Sequence, residues 1–243
     1  MHYFEMSETD VEYIYAHAVT QTVIYSAKDT NDYFVKTIHE FASQRVGKTS
    51  NIHKFISHWM QEFNIGIDYE INSVGGEAHI VKIVGKDGQR VNLADKGMGS
   101  IQLMILLFRL ATKMSERRQG VRSSRNGTTI IIEEPEQNLH PMLQSKLADL
   151  FYSLNQDYRF NFIIETHSEY LIRKTQVIVG EKYKTETELM KNPFRVYYFP
   201  TEDVPYDMVY TTSGLFMEKF GDGFINEAGR LHMTVLKNAN NNE

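Results

Sequence analysis

The sequence predicts an α/β protein whose core sheet is mostly parallel, preceded by helices and a small antiparallel β meander. Three observations predict it. A β-branched run over residues 130–132 ends in the acids Glu133 and Glu134, and a second apolar run ends at Glu165, Thr166 and His167. Between them, residues 141–155 form a helical stretch of the length that a right-handed crossover between parallel strands needs. Upstream, residues 68–92 alternate apolar and polar side chains in three short runs, broken by Gly75-Gly76 and by Lys86-Asp87-Gly88. That is the pattern of antiparallel strands joined by tight turns.

Taken in order, the chain opens on a helix expected from Ser7, with Asp10 three residues on, towards Tyr25. A second helix follows Thr30, because Tyr33, Phe34, Ile38 and Phe41 recur at helical spacing with Lys36, His39 and Glu40 between them. Gly47 ends it, and Thr49 and Ser50 cap a third helix over residues 52–63 that carries the single tryptophan, Trp59. After the meander, a glycine-containing segment leads into an apolar helix over residues 103–111. Beyond the two core strands, Ser168 caps the helix begun by Glu169, Tyr170, Leu171 and Ile172. Residues 194–199 and 208–211 read as strands joined by a Pro-containing turn, and residues 224–236 as a closing helix. As domains, residues 1–92 are a helical segment plus meander, residues 93–236 the core, and residues 237–243 a polar tail expected to be disordered.

Composition narrows the function classes. A chain of 243 residues can bury a sizeable core in one domain or two small ones. Zero cysteines exclude a disulfide scaffold and a thiolate metal site. No apolar run approaches the roughly 18 residues of a membrane span, and the N-terminus has no signal-peptide pattern. A cytoplasmic location and no membrane partner are therefore expected. The net charge of −5 gives no global pull toward nucleic acid. Residues 113–127 do carry five basic residues against one acid; a solvated loop is the plain reading, and contact with nucleic-acid phosphates the functional one.

The chemistry lies in three segments. Two like charges at the end of an apolar strand repel each other and lose solvation. The pair Glu133-Glu134 makes sense when it faces a metal ion and a water at the carboxyl edge of a parallel sheet, where ligands of open α/β sheets sit. One carboxylate would then hold magnesium, mostly through water, while its neighbour would polarise the water that attacks a phosphate. The segment has the Walker B form hhhhEEPE. The bland counterpart is a core strand followed by a solvated acidic turn, with Pro141 opening the next helix. His167, at the tip of the neighbouring strand, can donate a hydrogen bond to a γ-phosphate or to the attacking water, though a lone histidine there is more often a satisfied surface group. Gly97 and Gly99 let backbone N–H groups approach an anion at a helix N-terminus, and G-x-G before a helix is by itself an ordinary turn. The order glycine-helix, acidic strand, histidine strand is far more specific than any one part.

On these motifs, residues 52–231 resemble the C-terminal portion of an ABC-type ATPase head, from the branch that includes SMC, RecF and OLD-family proteins. Within that branch they are most similar to bacterial AAA-family ATPases with an EEPE-x-NLHP Walker B and a T-H-S switch. The resemblance implies the C-terminal lobe of a P-loop NTPase that binds ATP and Mg2+. In such families two heads close around two nucleotides. Residue by residue, the segment from Asp95 to Gln102 corresponds to the signature loop, which brings Lys96, Gly97, Gly99, Ser100 and Gln102 to the nucleotide held by the opposite subunit. Glu133 takes the metal-associated position and Glu134 that of the catalytic glutamate. Asn138-Leu139-His140 falls where the D-loop lies, putting Asn138 and His140 beside nucleotide, and His167 matches the switch histidine. Glu133 stands where Asp is commoner, as is usual in OLD-like members. The signature loop lacks the Leu-Ser-Gly-Gly form of transporters, which argues against a transporter subunit.

Such a head needs a phosphate-binding loop on a strand that leads into a helix. The pattern [AG]-x4-G-K-[ST] occurs once, from Ala42 to Thr49. Nothing before Ala42 reads as a buried strand, and Ala42 replaces the first glycine, so this is expected to be a chance match. The expectation is a C-terminal half of a head, as a fragment or completed by another polypeptide. Its partners are then a second copy or a chain carrying the Walker A lobe, with nucleic acid or an effector protein further on, and a DNA-related or anti-phage output. The alternative is a non-hydrolytic regulatory module that keeps the ABC-like fold without a Walker A; Glu134 and His167 argue against it, since a scaffold has no need of them. A third reading, a metal-dependent hydrolase using Glu133, Glu134, His140 and His167, requires tight metal binding without nucleotide.

Overall fold

A strand, β1 (Asp10–Ile14), lies where local spacing leads one to expect a helix from Ser7 to Tyr25. It pairs in parallel with β6 (Thr128–Glu133), which pairs in parallel with β7 (Phe160–Glu165), so the order of this sheet is β1-β6-β7. The reason is tertiary. Val11, Tyr13 and Ile14 suit a strand, and Glu12 finds its cations nearly a hundred residues away on another element. The computed structural model describes residues 10–14, 22–26, 32–118, 127–225 and 227–240; residues 7–9 and 15–21 of the expected helix, residues 119–126 of the basic stretch and residues 241–243 of the expected tail lie outside them. The chain divides into two units, Met1–His167 and Ser168–Glu243, and the boundary expected at residue 92 falls inside the first.

In the first unit a short strand, β2 (Tyr25–Ser26), precedes the helices α1 (Tyr33–Ser43) and α2 (Asn51–Glu62). Asp32 caps α1 by accepting from the N–H groups of Phe34 and Val35, and Ser50 caps α2 by accepting from His53 N–H. The meander is β3 (Asp68–Val74), β4 (Ala78–Val84) and β5 (Arg90–Asn92), all antiparallel, with β2 added to β4. A single 3-10 turn, Leu93–Asp95, then leads to α3 (Met98–Arg118).

Helix α3 organises this unit. Nearly every side chain from Ile101 to Ser115 is buried, so the helix is covered on all sides rather than on one stripe. It packs on α1 and α2, where Phe108 stacks on Phe41 with centroids 4.6 Å apart and meets Tyr69 of β3 edge-on at 5.3 Å. Two of its cations, the half-buried Arg109 and the buried Lys113, lie one turn apart. Arg109 pairs with Glu12 and Glu40, and Lys113 Nζ lies 2.9 Å from Glu12 and 3.2 Å from Glu116. Burial alone would lower the Lys113 ammonium, but the Glu12 and Glu116 carboxylates outweigh it and hold it above its ordinary range. These pairs fasten β1 to α3. The crossover helix α4 (Pro141–Tyr158) then carries the chain from β6 to β7, with Phe151 against Phe162 at 4.9 Å.

The second unit holds α5 (Glu169–Lys182), a short α6 (Glu186–Leu189), the antiparallel pair β8 (Val196–Tyr198) and β9 (Tyr206–Met208), and α7 (Glu227–Asn240). Ser168 caps α5 as expected, accepting from Leu171 N–H at 3.1 Å. A strand was expected over residues 208–211, but β9 ends at Met208. Residues beyond it close their own turn instead, through Thr211 N–H to Leu215 O and Met217 N–H to Val209 O. That turn lies directly on α5. Gly214 has φ +80°, and a Cβ there would stand 2.0 Å from Gln176 O. Helix α7 continues to Asn240, into the tail expected to be disordered.

Candidate active site

The carboxyl edge of the parallel sheet brings the acidic and histidine segments together. The ladder between β6 and β7 runs one residue past β6, through Glu134 N–H to Glu165 O at 2.8 Å. There the chain breaks away sharply: Glu134 has φ +41°, a left-handed conformation costly for a side chain with a Cβ. Two turns follow, closed by Gln137 N–H to Glu134 O and Leu139 N–H to Glu136 O. Such strain at a sheet edge is a mark of functional positions.

The Glu134 carboxylate is held from two sides. One oxygen faces His167 Nε2 at 3.3 Å, and the other accepts from Gln137 Nε2. Glu134 and His167 thus occupy the same sheet edge, as the motif order requires. His167 is mostly exposed, and its backbone N–H donates to Glu136 Oε1 at 2.7 Å. Gln137 and Glu136 are contributions that motif reading missed. Gln137 had a signal in the sequence, since it stands three residues after Glu134 in a turn that contains Pro135.

The glycine segment meets the turn after β6. Gly97 precedes α3 and accepts from the N–H groups of Ser100 and Ile101, while Lys96 is half-buried beside Leu93. A Cβ on Gly99 would stand 2.5 Å from Asn138 O, so α3 starts in direct contact with that turn. Asn138, at φ +59°, donates from Nδ2 to Gln102 Oε1 at 3.3 Å. Gly99, Gln102 and Asn138 are therefore one local assembly. His140 is the N-cap of α4, its Nδ1 accepting from Met142 N–H at 3.3 Å. Lys48, in the pattern over residues 42–49, pairs with Asp68 at 3.8 Å, and that segment leaves the end of α1 rather than a strand.

Glu133 is half-buried at the end of β6, in register with Glu165 on β7. Magnesium is usually held by one or two carboxylates together with phosphate oxygens and water. Among the described residues no group of three or more His, Asp or Glu side chains is placed to hold a metal ion. Glu133 is the carboxylate at this edge that could take part in holding magnesium delivered with nucleotide phosphates.

Residues 5–172 match the family model of the AAA ATPase domain. No curated protein matches the chain. Among solved structures, the chain is similar to one described as "Structural biochemistry of ATP-driven dimerization and DNA stimulated activation of SMC ATPases", at 11% identity and a TM-score of 0.41, covering 76% of this chain and 90% of that one. No helix among the described residues is long and apolar enough to cross a membrane.

Proposed function

The chain belongs to the AAA ATPase domain family, and from that premise we propose that Glu134 and His167 form the hydrolytic edge of an ATP-binding head that pairs with a second head around nucleotide. The observation that carries this is the bracketing of the Glu134 carboxylate between Gln137 and His167, at a strained position on the carboxyl edge of the sheet. A carboxylate so oriented is a general base for water, and an exposed imidazole beside it can donate to a γ-phosphate. Glu133 is the residue that would hold magnesium, which supplies charge neutralisation at the phosphates when bound. Lys96, Gly97, Gly99 and Ser100 would present α3 to the nucleotide of the facing head, and Asn138 and His140 would line the same junction. The contact between Gly99 and Asn138 supports treating these two segments as one surface. A Walker A lobe supplied from elsewhere, in cis or by a partner, would provide the phosphate cradle. The resemblance to SMC, RecF and OLD-like heads adds a DNA-related or anti-phage output.

Steady-state ATP hydrolysis by the purified 243-residue chain tests the division of labour. Turnover should be negligible alone and appear when a Walker A lobe is added. Robust turnover by the chain alone, abolished by Lys48→Ala, would move phosphate binding to residues 42–49 and contradict the proposal.

A further inference from the structure

Glu136 is buried, with 7% of its surface exposed, in the turn after β6, and hydrolysis as described above makes no use of it. Its Oε1 accepts from the backbone N–H of His167 at 2.7 Å, and its Oε2 is buried without a hydrogen-bond partner among the described residues. A carboxylate in such surroundings loses its hydration and recovers one strong hydrogen bond. A side chain serving stability alone would be apolar here, or fully satisfied.

That one bond acts on a particular place. The last rung between the two strands is Glu134 N–H to Glu165 O, so the N–H of His167 lies two residues beyond the sheet. Glu136 stands in for the missing strand partner. The His167 ring is 74% exposed, so packing does little to fix it, and its position is set through its backbone. Glu136 and Glu134 leave the same turn, one gripping the main chain of His167 and the other facing its imidazole.

We infer that the buried carboxylate of Glu136 is a positioning residue, holding the tip of β7 so that the His167 imidazole meets Glu134. This rests on the hydrolytic reading of Glu134 and His167. Glu136 acts through the main chain of His167.

The test uses the 243-residue chain without nucleotide, labelled with nitrogen-15, so that positioning is read apart from turnover. In Glu136→Ala, hydrogen exchange at the His167 amide should quicken by about 10-fold or more, as loss of a charge-assisted hydrogen bond implies. Glu136→Gln, whose amide oxygen can still accept, should restore most of the protection. Glu134→Gln should shift the His167 ring resonances in the otherwise native chain and leave them unmoved in the Glu136→Ala background. A merely structural role would not break that coupling. Should Glu136→Ala fail to fold, Glu136→Asp, one methylene short, should loosen His167 in the same way. Unchanged exchange at His167, or a ring that still responds to Glu134→Gln when Glu136 is alanine, overturns the inference. Failure of the hydrolytic reading would appear instead in turnover, with the His167 resonances behaving as described.

Discussion

Glu134 holds a conformation that costs on the order of 1–2 kcal/mol for a residue with a side chain. The cost is offset locally, because its N–H extends the ladder to Glu165 and its carboxylate meets Gln137 and His167. That Glu133, Glu134 and His167 gather at one sheet edge was legible in the sequence, because each stands at or just past the end of an apolar strand, where a charge is conspicuous. Glu136 was not, since a charged residue in a turn after a strand reads as solvated, and only the fold shows it buried on His167 N–H. Gly99 was legible as a close-approach residue, but toward an anion. The structure shows a backbone contact that needs the missing Cβ just as strictly. Gly99→Ala should therefore destabilise the first unit by about 1–3 kcal/mol, the range for overpacking a tight contact. The check is the urea midpoint, and an unchanged midpoint would contradict a close approach between α3 and the Asn138 turn.

Among the elements, β6, α4, β7 and α5 follow from local signals: apolar runs of strand length, a proline opening one helix and a serine capping the other. The short helix α6 also has a local signal, the reciprocal cap between Thr185 and Glu188. Strand β1 has none that outweighs its helical spacing, because what decides it is its ladder to β6 and the ion pairs of Glu12 with Arg109 and Lys113. This makes β1 sensitive to a residue distant in sequence. Arg109→Met removes the cation between Glu12 and Glu40, and should lower stability by about 1–3 kcal/mol, less than for a fully buried pair because Glu40 is partly exposed and Glu12 keeps Lys113. Adding Glu12→Gln should cost less than the sum of the two single losses, because both changes remove the same ion pair. Denaturant unfolding of the single and double variants decides the matter; strictly additive losses would mean that the two side chains are not coupled.

Across the whole molecule, the two units share a titration signature. Burial pushes the phenols of Tyr25 and Tyr33 in the first unit, and of Tyr210 in the second, up to about 12. An unfolded chain would release those protons near pH 10. The stability they represent is fully present below pH 10 and is lost as pH rises towards about 12, since deprotonation then favours the unfolded chain. Unfolding followed together with tyrosinate absorbance should show both units giving way in that window, and early ionisation of all tyrosines in folded protein would contradict it. The family assignment rests on residues 5–172, a span that includes Glu133, Glu134 and His167. The central claim is that Glu134 activates water in a head that closes around ATP, and Glu134→Gln in a head reconstituted with its Walker A lobe tests it most directly. With ATP and magnesium, hydrolysis should fall by about 10²–10⁴, as for loss of a general base, while nucleotide binding persists and closed dimers accumulate. Glu133→Gln should instead weaken magnesium-dependent binding. Unchanged turnover in Glu134→Gln, with turnover abolished in Glu133→Gln, would contradict the assignment and reverse the roles of the two carboxylates.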